Sequence, residues 1–297
     1  MTEKLEACPV CSSREISLFI NCEDHFLSHE HFNIEACKSC GFKFTNPRPV
    51  AHELGKYYQS KEYISHSNSK QGIFNNIYQL VRKFTIARKY KLIKRLTSGN
   101  RILDIGCATG EFLAYMQSKG FEATGIEPDG NARKMAKEQH ALKVFDETDI
   151  DQLPDGSFDV ITLWHVLEHV SGLEKRMQDL NRLLSPNGIL ILAVPNANSH
   201  DAKIYGEFWA AYDVPRHLYH FSSESMTSLL QRFNFEKPEI FPMKLDSYYV
   251  SLLSEKYKRG KMGYLGGIWN GYCSNWSARK EMNYSSLIFA SKKKITH

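Results

Sequence analysis

Apolar residues along this chain recur with two periods. In Arg101-Ile102-Leu103-Asp104-Ile105 they predict a short buried strand, and a glycine-bracketed turn from Gly106 to Gly110 leads into a helical pattern that starts at Glu111. The alternation continues through strands at Ala123–Pro128, Leu142–Phe145, Phe158–Trp164 and Ile189–Pro195. Between them lie helices at Asn131–His140 and Leu173–Leu184, and Ser185-Pro186-Asn187-Gly188 turns into the fifth strand. Strands alternating with helices predict an α/β fold with a doubly wound, Rossmann-like parallel sheet. Ser222 to Phe233 reads as the last crossover helix, with Ser222 as its cap. Glu239–Phe241 and Ser286–Ala290 read as antiparallel end strands, so a sheet of seven strands with an antiparallel last strand is expected. Between those two runs lies an insertion at about 245–283, where Tyr248, Tyr249 and Gly263-Tyr264-Leu265-Gly266-Gly267-Ile268-Trp269 show no clear period. An acceptor flap and a dimer contact are both open readings for it.

The first fifty residues follow another pattern. Strand-like runs at Glu15–Ile20 and His31–Ile34 lie between Cys8-Pro9-Val10-Cys11 and Cys37-Lys38-Ser39-Cys40-Gly41. Each Cys-x-x-Cys forms a knuckle that aims two thiolates at one tetrahedral ion, so residues 1–50 are expected to be a zinc ribbon with Cys8, Cys11, Cys37 and Cys40 as ligands. Four cysteines close the coordination sphere, which makes the ion structural. A redox dithiol is the rival reading. Cys22, His25, His29 and His31 are expected to be solvated loop residues. Residues 51–96 form a connector: Pro47-Arg48-Pro49 stops the ribbon, Tyr57, Tyr58 and Tyr63 follow, and Ser65–Ser69 reads as a mobile loop or lid. From Gly72 to Leu96 apolar residues recur at helical spacing, with Arg82, Lys83, Arg88, Lys89, Lys91, Lys94 and Arg95 opposite. Such a helix suits packing on the sheet with a solvated basic face, or an acidic or lipid surface. Residues 97–297 are expected to carry the chemistry.

Composition narrows this picture only slightly. With 42% hydrophobic residues and a net charge of +5 over 297 residues, the chain has material for a sizeable core and permits nucleic acid as a partner without arguing for it. No apolar run is long enough to span a bilayer and the N-terminus lacks an apolar signal core, so the cytoplasm is the expected location. In that compartment cysteines serve as metal ligands or plain thiols more often than as disulfides.

The turn after the first strand supplies free backbone N–H groups at a helix N-terminus, which suits a nucleotide-like ligand. Asp104 sits where it would repel a phosphate, which points to a ligand with a cationic end. Glu127, at the end of the second strand, lies 23 positions later, close to the place of a ribose-binding carboxylate. Asp149 follows the third strand, where a side chain can meet an adenine amino group. Asp104-x-Gly106-x-x-x-Gly110, Glu127, Phe158-Asp159 and Ser185-Pro186-Asn187-Gly188 together resemble the class I S-adenosylmethionine-dependent methyltransferases, from about residue 95 to the C-terminus. The resemblance implies that Asp104 orients the methionine end of the cofactor and that the turn Gly106, Cys107, Ala108 and Gly110 cradles it. It implies further that Glu127 holds the ribose, that Asp149 lies by the adenine, and that Trp164 and His165 border cofactor and substrate. Ala108 stands where many relatives have glycine. A dehydrogenase reading lacks its Gly-x-Gly-x-x-Gly spacing.

Candidate bases lie at the ends of the fourth and fifth strands. His165-x-x-Glu168-His169 resembles the Glu-x-x-Glu-His motif of divalent-metal-dependent methyltransferases, including ubiquinone-pathway and small-RNA 2′-O-methylating enzymes, with His217 or His220 to complete the set. Histidine in place of the first glutamate shifts the preference from magnesium towards softer ions. The same residues also occur where they only cap a helix or pack by the cofactor. His217-Leu218-x-x-Phe221-Ser222 matches the histidine end of the Tyr-x-x-His pair of zinc-containing sugar-nucleotide C-methyltransferases, but Val214 stands at the tyrosine position. His217 is the leading base, with a structural histidine as the alternative. Trp209, Tyr212 and Tyr219 line an acceptor pocket or belong to the core. The function expected is methyl transfer to a small-molecule or sugar acceptor, on oxygen rather than carbon. An RNA methyltransferase and a ribbon assembly protein with an inactive domain are the competing readings.

Overall fold

The computed structural model describes residues 1–58 and 73–294; Tyr63 and the expected loop at Ser65–Ser69 lie outside the described residues. The chain opens with β1 (Thr2–Glu3), β2 (Ile16–Glu23), β3 (His31–Cys37), β4 (Lys43–Thr45) and β5 (Arg48–Pro49). A long helix, Ile73–Leu96, leads into β6 (Arg101–Ile105), β7 (Glu122–Ile126), β8 (Lys143–Phe145) and β9 (Phe158–Trp164). After these come β10 (Leu184–Pro195), β11 (Tyr219–His220), β12 (Glu239–Pro242) and β13 (Ser286–Lys292).

Seven of these strands form one sheet in the order β12-β13-β10-β9-β6-β7-β8. β13 pairs antiparallel with both β10 and β12, while the remaining pairs run parallel. The order reverses direction at β6, which opens a crevice at its C-terminal end. Alternate residues serve opposite faces: Ile102, Val160 and Ile191 pack on one side, Leu103, Ile161 and Leu192 on the other. β10 starts earlier than its apolar run. Pro186 and Asn187 stand exposed in an irregularity between the pairs Leu184–Phe158 and Ile189–Val160, so the expected turn is absorbed into the strand.

A second sheet runs β11-β4-β3-β2. Its outer member β11 comes from the segment after β10, so the chain returns from the large sheet to complete the cysteine-rich ribbon, and the two share one continuous apolar core. The insertion resolves into two helices, Asp246–Arg259 and Tyr264–Glu281, packed as a hairpin. Glycines make this possible: a Cβ on Gly267 would lie 2.8 Å from the Leu252 Cα, and one on Gly271 would lie 2.9 Å from that of Tyr248.

Candidate active site

Three groups of side chains offer chemistry, two of them at the C-terminal ends of β6, β9 and β10 and the third in the ribbon. The first surrounds the turn after β6. Gly106 and Gly110 have φ of +74° and +86°, and a Cβ at either would stand 2.4 Å from Val166 Cγ2 or 2.6 Å from Leu142 Cδ1. Ala108 also lies in the left-handed region, at φ +49°, which accounts for glycine being the easier residue there. Its N–H donates to Glu127 Oε2 at 2.8 Å, and Asp129 N–H donates to Glu127 Oε1 at 3.0 Å. Glu127 therefore bridges the turns after β6 and β7. Burial raises its pKa against those two N–H donors. The Cys107 thiol is buried under the turn and pushed well up by burial.

Asp104 is buried on β6 and accepts a hydrogen bond from Thr162 Oγ1 at 2.5 Å. Burial lifts its pKa to about 7; the Thr162 bond and the Lys89 charge oppose the rise, and Glu127 adds to it. Lys89, expected on a solvated basic face, instead turns inward. Its Nζ lies 4.0 Å from the centroid of the Trp164 ring, and burial pushes it down to about 8 against the pull of Asp104 and Asp246. Trp164 packs edge-on against Phe112, and its indole N–H is buried without a hydrogen-bond acceptor among the described residues. Asp149 caps its own turn: its Oδ2 accepts from the Asp146 N–H at 3.1 Å while the Asp146 side chain accepts in return. Lys89 was hidden in the sequence because seven cations share its helix.

The second group differs from the expected metal set. Glu168, His169 and His217 each place one ligand atom within 4.8 Å of the others. His165 is not part of it. With φ at +58°, it aims Nδ1 at Glu168 Oε1 (3.4 Å) and Nε2 at Asp246 Oδ2 (3.1 Å), and although burial opposes its charge, these two carboxylates push it up to about 10. His220 does not join the cluster either, and its Nε2 bonds Thr45 Oγ1 at 3.1 Å. His217 Nδ1 lies 2.8 Å from Ala211 O, and His169 Nδ1 lies 3.1 Å from Arg216 O and 2.9 Å from Tyr58 Oη. A carbonyl only accepts, so both Nδ1 atoms carry hydrogen and both Nε2 atoms keep a lone pair. Burial and the neighbouring His217 hold His169 down at about 4. Glu168 is fully buried with neither carboxylate oxygen hydrogen-bonded. Burial works to raise its pKa, and the surrounding histidines, His165 first, keep it low and the group ionised. Trp209, Tyr212 and Tyr219 are core residues, the first donating Nε1–H to Asp201 Oδ2 at 2.9 Å.

The third group is the cysteine cluster. Cys8 and Cys40 Sγ are 3.6 Å apart, and Cys11 and Cys37 Sγ 3.5 Å. Those distances far exceed a disulfide's roughly 2.05 Å. They approach the edge of about 3.8 Å for four sulfurs placed about 2.3 Å from a central zinc. Cys22 and His25 are not solvated as expected: the thiol is buried in β2 and the ring stacks between Phe208 and Tyr257.

A family model described as a methyltransferase domain matches residues 78–239. The ubiquinone biosynthesis O-methyltransferase of Rickettsia typhi is 30% identical over 181 residues, 57% of this chain and 72% of that protein. That of Rickettsia bellii is 28% identical over 219 residues, 67% of this chain and 89% of that protein. Among solved structures, a SAM dependent methyltransferase from Archaeoglobus fulgidus aligns with a TM-score of 0.50 at 21% identity, over 71% of this chain and 94% of that one. The phosphoethanolamine N-methyltransferase 2 of Haemonchus contortus, in complex with S-adenosyl-L-methionine, aligns with a TM-score of 0.53 at 17% identity, over 94% and 69%. At such identities the structural likeness speaks for the fold alone.

Proposed function

The chain belongs to the S-adenosylmethionine-dependent methyltransferases, and from that premise we propose that it methylates a hydroxyl of a small-molecule or sugar acceptor. The buried Asp104 supports the donor half: a carboxylate beside the turn takes the α-ammonium of the methionine end, and Glu127 takes the ribose hydroxyls. Trp164 and Asp149 border the same crevice. The acceptor oxygen attacks the methyl carbon in line with the sulfur, the C–S pair stays on sulfur, and S-adenosylhomocysteine leaves. The hydroxyl proton goes to His217 Nε2, whose lone pair is set by the Nδ1–H bond to Ala211 O. His169 holds the same tautomer beside it. His165 belongs to the charge balance around Glu168 rather than to the proton path.

The observation that carries the acceptor half is the meeting of His169, His217 and the buried Glu168, one ligand atom of each within 4.8 Å of the others, with both Nδ1 atoms committed to carbonyls. The same observation favours a second reading. A divalent transition ion fits Glu168, His169 and His217, because neither Glu168 oxygen accepts a hydrogen bond, although His165 Nδ1 stands 3.4 Å from Oε1, and both rings are fixed through Nδ1. When bound, such an ion makes a coordinated hydroxyl more acidic. An Nε2 that ligates an ion is not a base, so the two roles of His217 exclude each other. The geometry of the four ribbon cysteines supports a structural zinc.

Methyl transfer from labelled cofactor to phenols, catechols and sugar nucleotides tests this. Asn at position 217 keeps a donor for Ala211 O and removes the base, so His217→Asn is expected to bind cofactor normally while turnover falls about 100-fold or more. Full activity in a chelator that leaves the ribbon zinc in place supports the base, and loss restored by manganese supports the ion. Normal turnover by His217→Asn sinks both roles.

A further inference from the structure

We propose that the outer face of the helix Tyr264–Glu281 docks this protein on an anionic lipid surface. This helix is packed inside out. Its buried residues are small, namely Gly267, Gly271, Ser274 and Ala278, and they let it lie close against the helix Asp246–Arg259. Its large apolar residues point to solvent: Leu265 is 87% exposed, Trp269 64%, Trp276 58% and Ile268 52%. At about 100° per residue, Leu265, Ile268, Trp269, Tyr272 and Trp276 fall within an arc of about 100°. The rings run on from one another, Trp269 to Tyr272 at 6.1 Å and Tyr272 to Trp276 at 6.2 Å. A hollow of about 350 Å³ lined by His200, Tyr272, Cys273, Trp276 and Ser277 opens on the same helix, with mostly apolar walls that suit part of an acyl chain. A contiguous apolar face of this kind calls for a covering.

Charge identifies the covering. From Lys256 to Lys280 the hairpin carries the exposed cations Lys256, Lys258, Arg259, Lys261, Arg279 and Lys280. Glu255 and Glu281 flank the run, and Glu255 pairs with Arg259 at 2.6 Å, which leaves five cations against one acid. A second copy seated on this face would bring the same cations against each other across a two-fold axis, whereas anionic headgroups neutralise them. Exposed Trp and Tyr belong at the boundary between headgroups and acyl chains, with Leu and Ile below it and Lys and Arg at the phosphates. The stripe ends near the crevice. Asn275, next to Trp276, donates to Lys244 O at 2.9 Å and to Ser247 Oγ at 2.8 Å, on either side of the Asp246 that pairs with His165.

The test is co-sedimentation of the full chain with phosphatidylcholine vesicles, with and without phosphatidylglycerol. Binding is expected to be about tenfold or more tighter to the anionic vesicles, to weaken with salt, and to shift tryptophan emission to the blue. A Leu265→Asp, Trp269→Ser double variant is expected to lose it at least about tenfold while keeping melting temperature and cofactor affinity, because both side chains are exposed. Lys258→Glu with Lys261→Glu, which leaves the apolar face intact, is expected to lose the preference for the anionic vesicles. Failure of the wild type to bind anionic vesicles, or equal binding by both variants, overturns the proposal. So does a wild-type dimer that the double variant converts to monomer, which would assign the face to a second copy.

Discussion

Asp104 is a carboxyl group buried within the sheet, and its behaviour follows from that. Burial raises its pKa from 3.8 to about 7 in the cofactor-free protein. A group whose folded pKa lies above its unfolded value supports the fold fully below the unfolded pKa and loses that contribution as pH rises through the folded one. The cofactor-free protein is therefore expected to lose stability between about pH 4 and pH 7 through this residue. The difference in melting temperature between the wild type and Asp104→Asn, followed across that range, reads it out. Cofactor binding has the opposite dependence. An ammonium needs the carboxylate ionised, so below about pH 7 binding must expel a proton and affinity falls up to about tenfold per pH unit. Titration calorimetry on Asp104→Asn at pH 8 is expected to show binding weaker by about 2 kcal/mol, roughly thirtyfold, the size of a lost charge-assisted hydrogen bond. Unchanged affinity would remove Asp104 from the cofactor site. The positions of Asp104 and Glu127 at the ends of β6 and β7 were legible, because strand and turn are local patterns. Lys89 was not, since which of seven cations on a helix turns inward depends on what that helix packs against.

The elements differ in how openly they announce themselves. β6 to β10 were readable from short apolar runs between helical patterns, since a parallel sheet buried on both faces needs apolar residues at nearly every position. Two Cys-x-x-Cys knuckles announced the ribbon for the same local reason. One zinc per chain is expected by metal analysis, lost in Cys37→Ser together with several degrees of melting temperature, because so small a sheet has little core of its own. A metal-free wild type that melts unchanged would refute the assignment. The helical hairpin at Asp246–Glu281 was unreadable by the same rules. Its buried positions are glycine, serine and alanine with only Val250 and Glu255 besides, so the apolar residues of the second helix face outward and the period is masked.

At the scale of the whole molecule the ribbon is part of the scaffold of the site. β11 completes the ribbon sheet through the pairs Tyr219–Phe44 and His220–Lys43. Thr45 Oγ1–H donates to His217 O at 2.8 Å, and Thr45 N–H donates to Leu218 O at 3.0 Å. The buried Arg216 guanidinium ties Asp24, Asp213 and the Tyr57 carbonyl together across the same junction. Removing the zinc proposed for the four cysteines is therefore expected to loosen the segment that holds His217. Cofactor affinity should survive, turnover should fall, and hydrogen exchange at Tyr219 and His220 should accelerate. Exchange that stays slow after metal removal would separate the ribbon from the site.

The sequence alone determined the parallel sheet, the turn after β6 with its acid, the second acid at Glu127 and the paired cysteines. All of these depend on residues close together in the chain, where strand alternation, positive φ and knuckle spacing act. Tertiary structure alone decided that His217 joins Glu168 and His169 while His165 turns its Nε2 to Asp246, that β11 crosses to the ribbon, and that Lys89 faces Asp104. Those are contacts between segments tens to hundreds of residues apart. They depend on which faces pack together, and no local period records that.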